Sequence, residues 1–165
     1  MRIVVMGVSG CGKSRVGQLL ADAIGARFTD GDDLHSAEAK TKMNAGTPLN
    51  DEDRWPWLDR VAATLDVAVG ESAVVACSAL KRVYRDRIRA GVPDVFFVHL
   101  DGSRELLAQR IGSRSGHFFP AHMLDSQLAI LERLEDDELG VTLDVVSSPE
   151  ALVAQALLAI RKPED

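Results

Sequence analysis

The chain of 165 residues is short of cysteine, of positive charge and of long apolar runs. Its two cysteines, Cys11 and Cys77, lack the CxxC or multi-Cys spacing of a zinc or redox site, and so few thiols suit a reducing compartment. A net charge of −6 argues against broad attraction to nucleic acid or to an anionic membrane, since both need excess Lys and Arg. Any anionic ligand must then be held by a local basic cluster. The longest uncharged run is 10 residues, against the roughly 20 apolar residues of a membrane-spanning helix. The N-terminus enters a strand directly, without the basic and apolar regions of a secretory leader, so the cytoplasm is expected. No NKxD guanine-reading motif and no switch segment are found, which disfavours a GTPase.

What is present is the composition of one ordinary soluble domain, 46% hydrophobic and 27% charged, expected to span residues 1–165. Compact β-branched runs at 2–6, 72–77 and 94–100, a weaker one at 141–146 and a strand tail at 26–28 alternate with helical periodicities. These periodicities cover 14–25, 52–70, 81–91, 103–112, 121–134 and 149–161. Such alternation predicts an α/β fold, a mostly parallel sheet with helices on both faces, whose ligands gather beyond the C-terminal strand ends.

At the first of those ends, Gly7-Val8-Ser9-Gly10-Cys11-Gly12-Lys13-Ser14 matches GxxxxGK[ST] between a strand and a helix. Backbone amides of this loop cradle phosphates, Lys13 reaches the outer ones, and the Ser14 hydroxyl is suited to ligate Mg²⁺. A nucleotide, with ATP as the expected phosphoryl donor, follows. A loop of this kind does not specify the reaction, and a small-substrate kinase is the leading class.

Phosphoryl transfer also needs an oriented acceptor hydroxyl, a base and cations. At the second strand end DGDDLH (30–35) places Asp30 to support the Mg²⁺ shell through water and Asp32 to act as base on the acceptor; Asp33 reads as a solvated turn residue or cap. His35 stands between substrate contact and local hydrogen bonding. In PLNDEDRWPWL (48–58), Asp51 or Asp53 is the expected helix cap. Arg54 is a cation at a helix start, where the dipole disfavours it; it either faces an anionic substrate or pairs with Asp51 or Asp53. In CSALKRVYRDRIR (77–89), Lys81 and Arg85 share one helix face at the acceptor edge, against the plain alternative of a solvated basic face. Arg110 and Arg114 stand at helical spacing before a Gly, a His and two Phe, as expected for a flap that closes over nucleotide phosphates or for an ordinary surface helix.

Taken together, GVSGCGKS, DGDDLH, KMNAGTPLNDEDRWPWL, CSALKRVYRDRIR and RSGHFFPAHMLDSQLAILE, in this order, closely resemble the gluconate kinase (gluconokinase) family of small nucleoside-monophosphate-kinase-like P-loop enzymes, over residues 3 to about 134. The resemblance implies a three-layer P-loop fold with a five-stranded parallel sheet, a mobile lid at about 112–120, and commonly a homodimer. It implies ATP-dependent phosphorylation of D-gluconate at its 6-hydroxyl. Carried over by position, residues 7–14 bind ATP phosphates and Mg²⁺, and Asp32 faces the acceptor hydroxyl. Arg54, Lys81 and Arg85 surround the sugar acid, Arg110 and Arg114 belong to the lid region, and His35 and Gln127 join the substrate site. Two rivals remain in view: a shikimate kinase, although CSALK stands where that family has a glycine triplet, and a non-catalytic nucleotide-binding regulator.

Overall fold

The computed structural model describes residues 1–113 and 121–161. Residues 114–120, which hold Arg114 and most of the expected lid, lie outside the described residues. Strands β1 (Arg2–Met6), β2 (Arg27–Asp30), β3 (Ala73–Ala76), β4 (Phe96–Asp101) and β5 (Gly140–Asp144) form one parallel sheet in the order β2-β3-β1-β4-β5. Helices α1 (Lys13–Ile24), α2 (Ala37–Asn44), α3 (Asp51–Leu65), α4 (Arg82–Gly91), α5 (Arg104–Gly112), α6 (Ala121–Ile130) and α7 (Pro149–Ile160) connect and flank them.

Side chains that alternate along each strand build two cores. Ile3 and Val5 of β1 pack with Leu20, Val98, Leu107, Leu143 and Leu152 beneath α1, α5 and α7. Val4 and Met6 pack on the other face with Trp57, Leu58, Leu65, Tyr84 and Ile88 of α3 and α4. Each such side chain, removed from water, contributes about 1.5–3 kcal/mol, so the two layers of helices clamp the sheet rigidly enough to hold loops at its C-terminal edge. The expected three-layer architecture with a five-stranded parallel sheet is what the chain forms.

Three elements differ from expectation. Helix α2 was not anticipated because AEAKTKMN buries no residue and so leaves no apolar stripe to read; the Ser36 hydroxyl caps it by accepting from Ala39 N–H. Helix α3 starts on Asn50 rather than on Asp51 or Asp53, since Asn50 and Asp53 form a reciprocal capping box. Helix α6 ends at Ile130 instead of running to 134, because the Glu132 N–H leaves the helical ladder to donate to Leu80 O at 2.8 Å.

One buried group marks the core with a pH dependence. His99 of β4 is fully buried, and neither ring nitrogen finds a partner among the described residues. Burial pushes its pKa from 6.5 down to about 4; Asp101 and Glu138 oppose this shift, while Arg85 and Arg133 add to it. Between those values the unfolded chain binds the proton and the folded chain does not, so stability rises with pH through this window and falls on acidification. His99→Leu should remove about 2 kcal/mol of the loss seen between pH 6.5 and 5, as read from denaturant unfolding at each pH.

Candidate active site

The sheet order sets the ends of β2, β3 and β1 side by side, so three loops distant in sequence share one edge. The first loop follows β1. Gly7 has φ 142°, and a Cβ there would come within 2.6 Å of the Leu100 carbonyl oxygen, so only glycine lets the loop lie this close to β4. Gly10 and Gly12 are also left-handed, which turns the backbone amides toward the start of α1. Lys13 Nζ donates to Val8 O at 3.1 Å, folded back over the loop whose phosphates it would reach.

The second loop follows β2. Gly31 presses against the Ala76 carbonyl at the end of β3, where no side chain fits. Asp30 is doubly engaged: Oδ2 accepts from the Ser14 hydroxyl at 2.7 Å, and Oδ1 accepts from Asp32 N–H at 3.0 Å. Asp30 therefore serves as the cap of the 31–34 turn while its other oxygen meets the phosphate loop. A hydroxyl and a carboxylate this close form the hard-oxygen donor pair that suits Mg²⁺ and its waters. Asp32 reaches solvent at the mouth of the site, yet loss of hydration raises its carboxyl above the ordinary range; Asp30 adds to the rise, Lys13 opposes it and Asp33 adds a little more. His35 stacks on the Trp57 ring at 4.2 Å, and Trp57 in turn donates to Gly31 O at 2.7 Å. Burial, followed by the charges of Arg54, Arg60 and Lys40, pushes His35 down to about 4, so it stands neutral with a buried Nδ1 that has no partner among the described residues.

The third loop follows β3 and lies between the other two. Gly7 N–H donates to Ser78 O at 3.3 Å, tying it to the phosphate loop. Ala79 within it is left-handed at φ 42°, a strained conformation for a residue with a Cβ. Lys81 binds Asp51 through both carboxylate oxygens, at 3.0 and 3.3 Å, and the Tyr84 hydroxyl also donates to Asp51. Those bonds, from Tyr84 first and then Lys81, hold Asp51 below its ordinary range. Arg54 lies 5.3 Å and Lys81 Nζ 5.5 Å from the Tyr84 ring centroid, so one aromatic ring supports both cations.

Arg54 forms neither of the ion pairs expected for it, with Asp51 or Asp53. Asp51 is taken by Lys81 and Asp53 by Lys42, and among the described residues Arg54 has no carboxylate partner; it donates only to Leu49 O at 3.2 Å and leaves a buried Nε without an acceptor. Its charge, with those of Lys13 and Asp32, reaches the buried Cys77 thiol, which burial itself pushes up to about 12. Cys77 is therefore a neutral floor of the site.

The expectation for Arg85 requires correction. Arg85 is wholly buried: Nε and Nη2 hold Glu138 at 2.7 and 2.8 Å, while Nη1 and Nη2 also donate to the carbonyls of Ala79, Leu80, Glu132 and Arg133. Every donor is thereby used and none remains for a sugar acid; Glu138 comes from a distant part of the chain, so the pair is not legible in the sequence. Gln127 places both amide atoms on Ser9 of the phosphate loop. Arg110 donates to Val145 O, just past β5. Arg114 lies outside the described residues. Tyr84 and Asp51 organise the cations; the sequence reading has Asp51 only as a helix cap or a partner of Arg54 and does not single out Tyr84. Tyr84 carried a signal, standing in the first turn of the helix that Lys81 precedes.

A shikimate kinase family model matches residues 9–138. The thermosensitive gluconokinase of Escherichia coli is 43% identical over 166 residues, covering 96% of this chain and 88% of that one. The chain belongs to the gluconokinase family, within the wider shikimate kinase group of P-loop kinases. Among solved structures, a gluconokinase from Sinorhizobium meliloti is 46% identical with a TM-score of 0.89, covering 96% of this chain and 90% of that one. A sugar kinase from a Janibacter species is 49% identical with a TM-score of 0.87, covering 96% and 92%. Kinase chemistry and ATP use follow from this kinship. Among the described residues, no helix is long and apolar enough to cross a membrane.

Proposed function

We propose that the protein transfers the γ-phosphoryl group of ATP to the 6-hydroxyl of D-gluconate, giving 6-phospho-D-gluconate and ADP. The observation that carries the acceptor half is Arg54. Of the three cations expected at the acceptor edge, Arg85 is spent on Glu138 and Lys81 is neutralised by Asp51, which leaves the Arg54 guanidinium for a single carboxylate. Gluconate is a linear polyol with one carboxylate, and the polar groups of Asp32, His35 and Lys81 match its hydroxyls.

In this reading residues 7–14 hold the phosphates and Lys13 swings from Val8 O onto the outer ones. Asp32 takes the proton of the 6-hydroxyl as its oxygen bonds to the γ-phosphorus and the bond from that phosphorus to the bridging oxygen breaks. Ser14 and Asp30 would hold Mg²⁺, which would supply charge neutralisation at the phosphates. Arg110 and Arg114 belong to the nucleotide side, so neither contributes to selection of the acceptor. We read residues 1–165 as a single kinase domain, working as a homodimer in the cytoplasm; sedimentation of the purified protein checks the dimer.

Purified protein is assayed for ADP release with ATP and gluconate, ATP and shikimate, or ATP alone. Turnover with gluconate only is expected. Turnover with shikimate alone overturns the acceptor, and tight ATP binding without any turnover favours a nucleotide-binding regulator. Arg54→Ala should raise the gluconate KM about 10- to 100-fold, the loss of a charged hydrogen-bonded pair, with the ATP KM within about twofold. An unchanged gluconate KM removes Arg54 from the substrate site.

A further inference from the structure

Gln127 of α6 grips the phosphate loop across 118 residues of sequence. Its Oε1 accepts from Ser9 N–H at 2.7 Å, and its Nε2 donates to the Ser9 hydroxyl oxygen at 3.1 Å. A backbone N–H can only donate, so the orientation of the amide is fixed by chemistry. Ser9 lies at a particular end of the loop. The Lys13 ammonium, which serves the outer phosphates, rests on the carbonyl of Val8, the preceding residue. Gly10 and Gly12, with their left-handed backbones, follow Ser9 and supply the cradle for the inner phosphates.

We infer that Gln127 is a positioning residue that sets the γ-phosphate end of the loop, leaving the inner-phosphate cradle to the glycines. It acts through Ser9 and touches no reacting atom. The chain just beyond α6 is itself anchored on the acceptor side, where Glu132 N–H donates to Leu80 O and the Glu132 carboxylate accepts from Arg82 N–H. One stretch, 127–132, thereby braces the phosphate loop at one end and the loop that carries Lys81 at the other. The inference rests on the ATP-kinase reading above.

A purely structural tie between α6 and the loop would weaken all nucleotides alike, whereas the proposed role is specific to the γ-phosphate. The test is calorimetric binding of ADP and of a non-hydrolysable ATP analogue with an imido β–γ bridge, both with Mg²⁺, to wild type and Gln127→Ala. The analogue Kd should rise about tenfold, the loss of roughly one net hydrogen bond, while the ADP Kd stays within about twofold. Equal weakening of both nucleotides, or no change in either, overturns the inference. If Gln127→Ala fails to fold, Gln127→Met, which keeps the length and removes the hydrogen bonds, is read in the same way. Wild-type protein that releases no ADP with gluconate would overturn the reading beneath; altered discrimination between the two nucleotides is judged separately from that outcome.

Discussion

Asp32→Asn should cut kcat about 10²- to 10⁴-fold, the usual worth of a positioned base, while gluconate and ATP KM change far less. The substitution keeps the size of the side chain and its exposure at the end of β2, and the Asp30 cap that shapes the turn does not use the Asp32 side chain. The pH profile supplies a second signature. Because lost hydration and the neighbouring Asp30 raise the Asp32 carboxyl, the acid limb of the wild-type rate should lie above the ordinary carboxylate range, with activity falling as pH drops through it. That limb should vanish in Asp32→Asn. A variant with wild-type kcat would show that transfer proceeds without this carboxylate, and the base would have to be sought elsewhere.

Arg85→Ala should lower stability by about 3–5 kcal/mol, because the buried Glu138 keeps only Arg89 as a charged partner and the carbonyls of Ala79, Leu80, Glu132 and Arg133 lose their donor. For a domain of this size that is a fall in Tm of roughly 10 °C. Glu138 is held down to about 2: burial raises it, but the bonds from Arg85 and Arg89 outweigh that rise. Its contribution is therefore present above the ordinary carboxylate value and is lost as pH falls toward 2. The Arg85–Glu138 pair also pins Ala79 and Leu80 through their carbonyls, so the strained turn ahead of Lys81 rests on it. Replacing both partners with apolar residues of similar volume should recover part of the stability, that due to the weakened pairing of Glu138, while the carbonyls served by Arg85 stay without their donor. Thermal unfolding of the single and double variants measures this. A stable Arg85→Ala whose only defect is a raised gluconate KM would return Arg85 to the substrate shell.

The fate of Arg54 and Arg85 shows how far the sequence could be read. Both are arginines beside predicted strand ends, and both were expected around the sugar acid. What separates them is the identity of their neighbours in space. Glu138 lies 53 residues from Arg85 and reaches it only because β5 joins the sheet beside β4 and carries the 131–139 segment over α4. Lys81 and Asp51 are 30 residues apart, and their pairing is what frees Arg54. Gln127 was placed by resemblance near the acceptor, and its bonds to Ser9 depend on how α6 crosses the phosphate loop.

By itself the sequence determined the alternation of strands and helices, the phosphate loop, the acidic turn and the location of the ligand edge. Each is written locally, in side-chain periodicity, in glycines that permit left-handed backbone, and in short-range spacing. Tertiary structure decided the rest: that β3 lies between β2 and β1, which cations are neutralised, and which polar groups the interior consumes. Charge pairing and burial are set by residues far apart in the chain, and electrostatic strength depends on how much water the fold removes from around them.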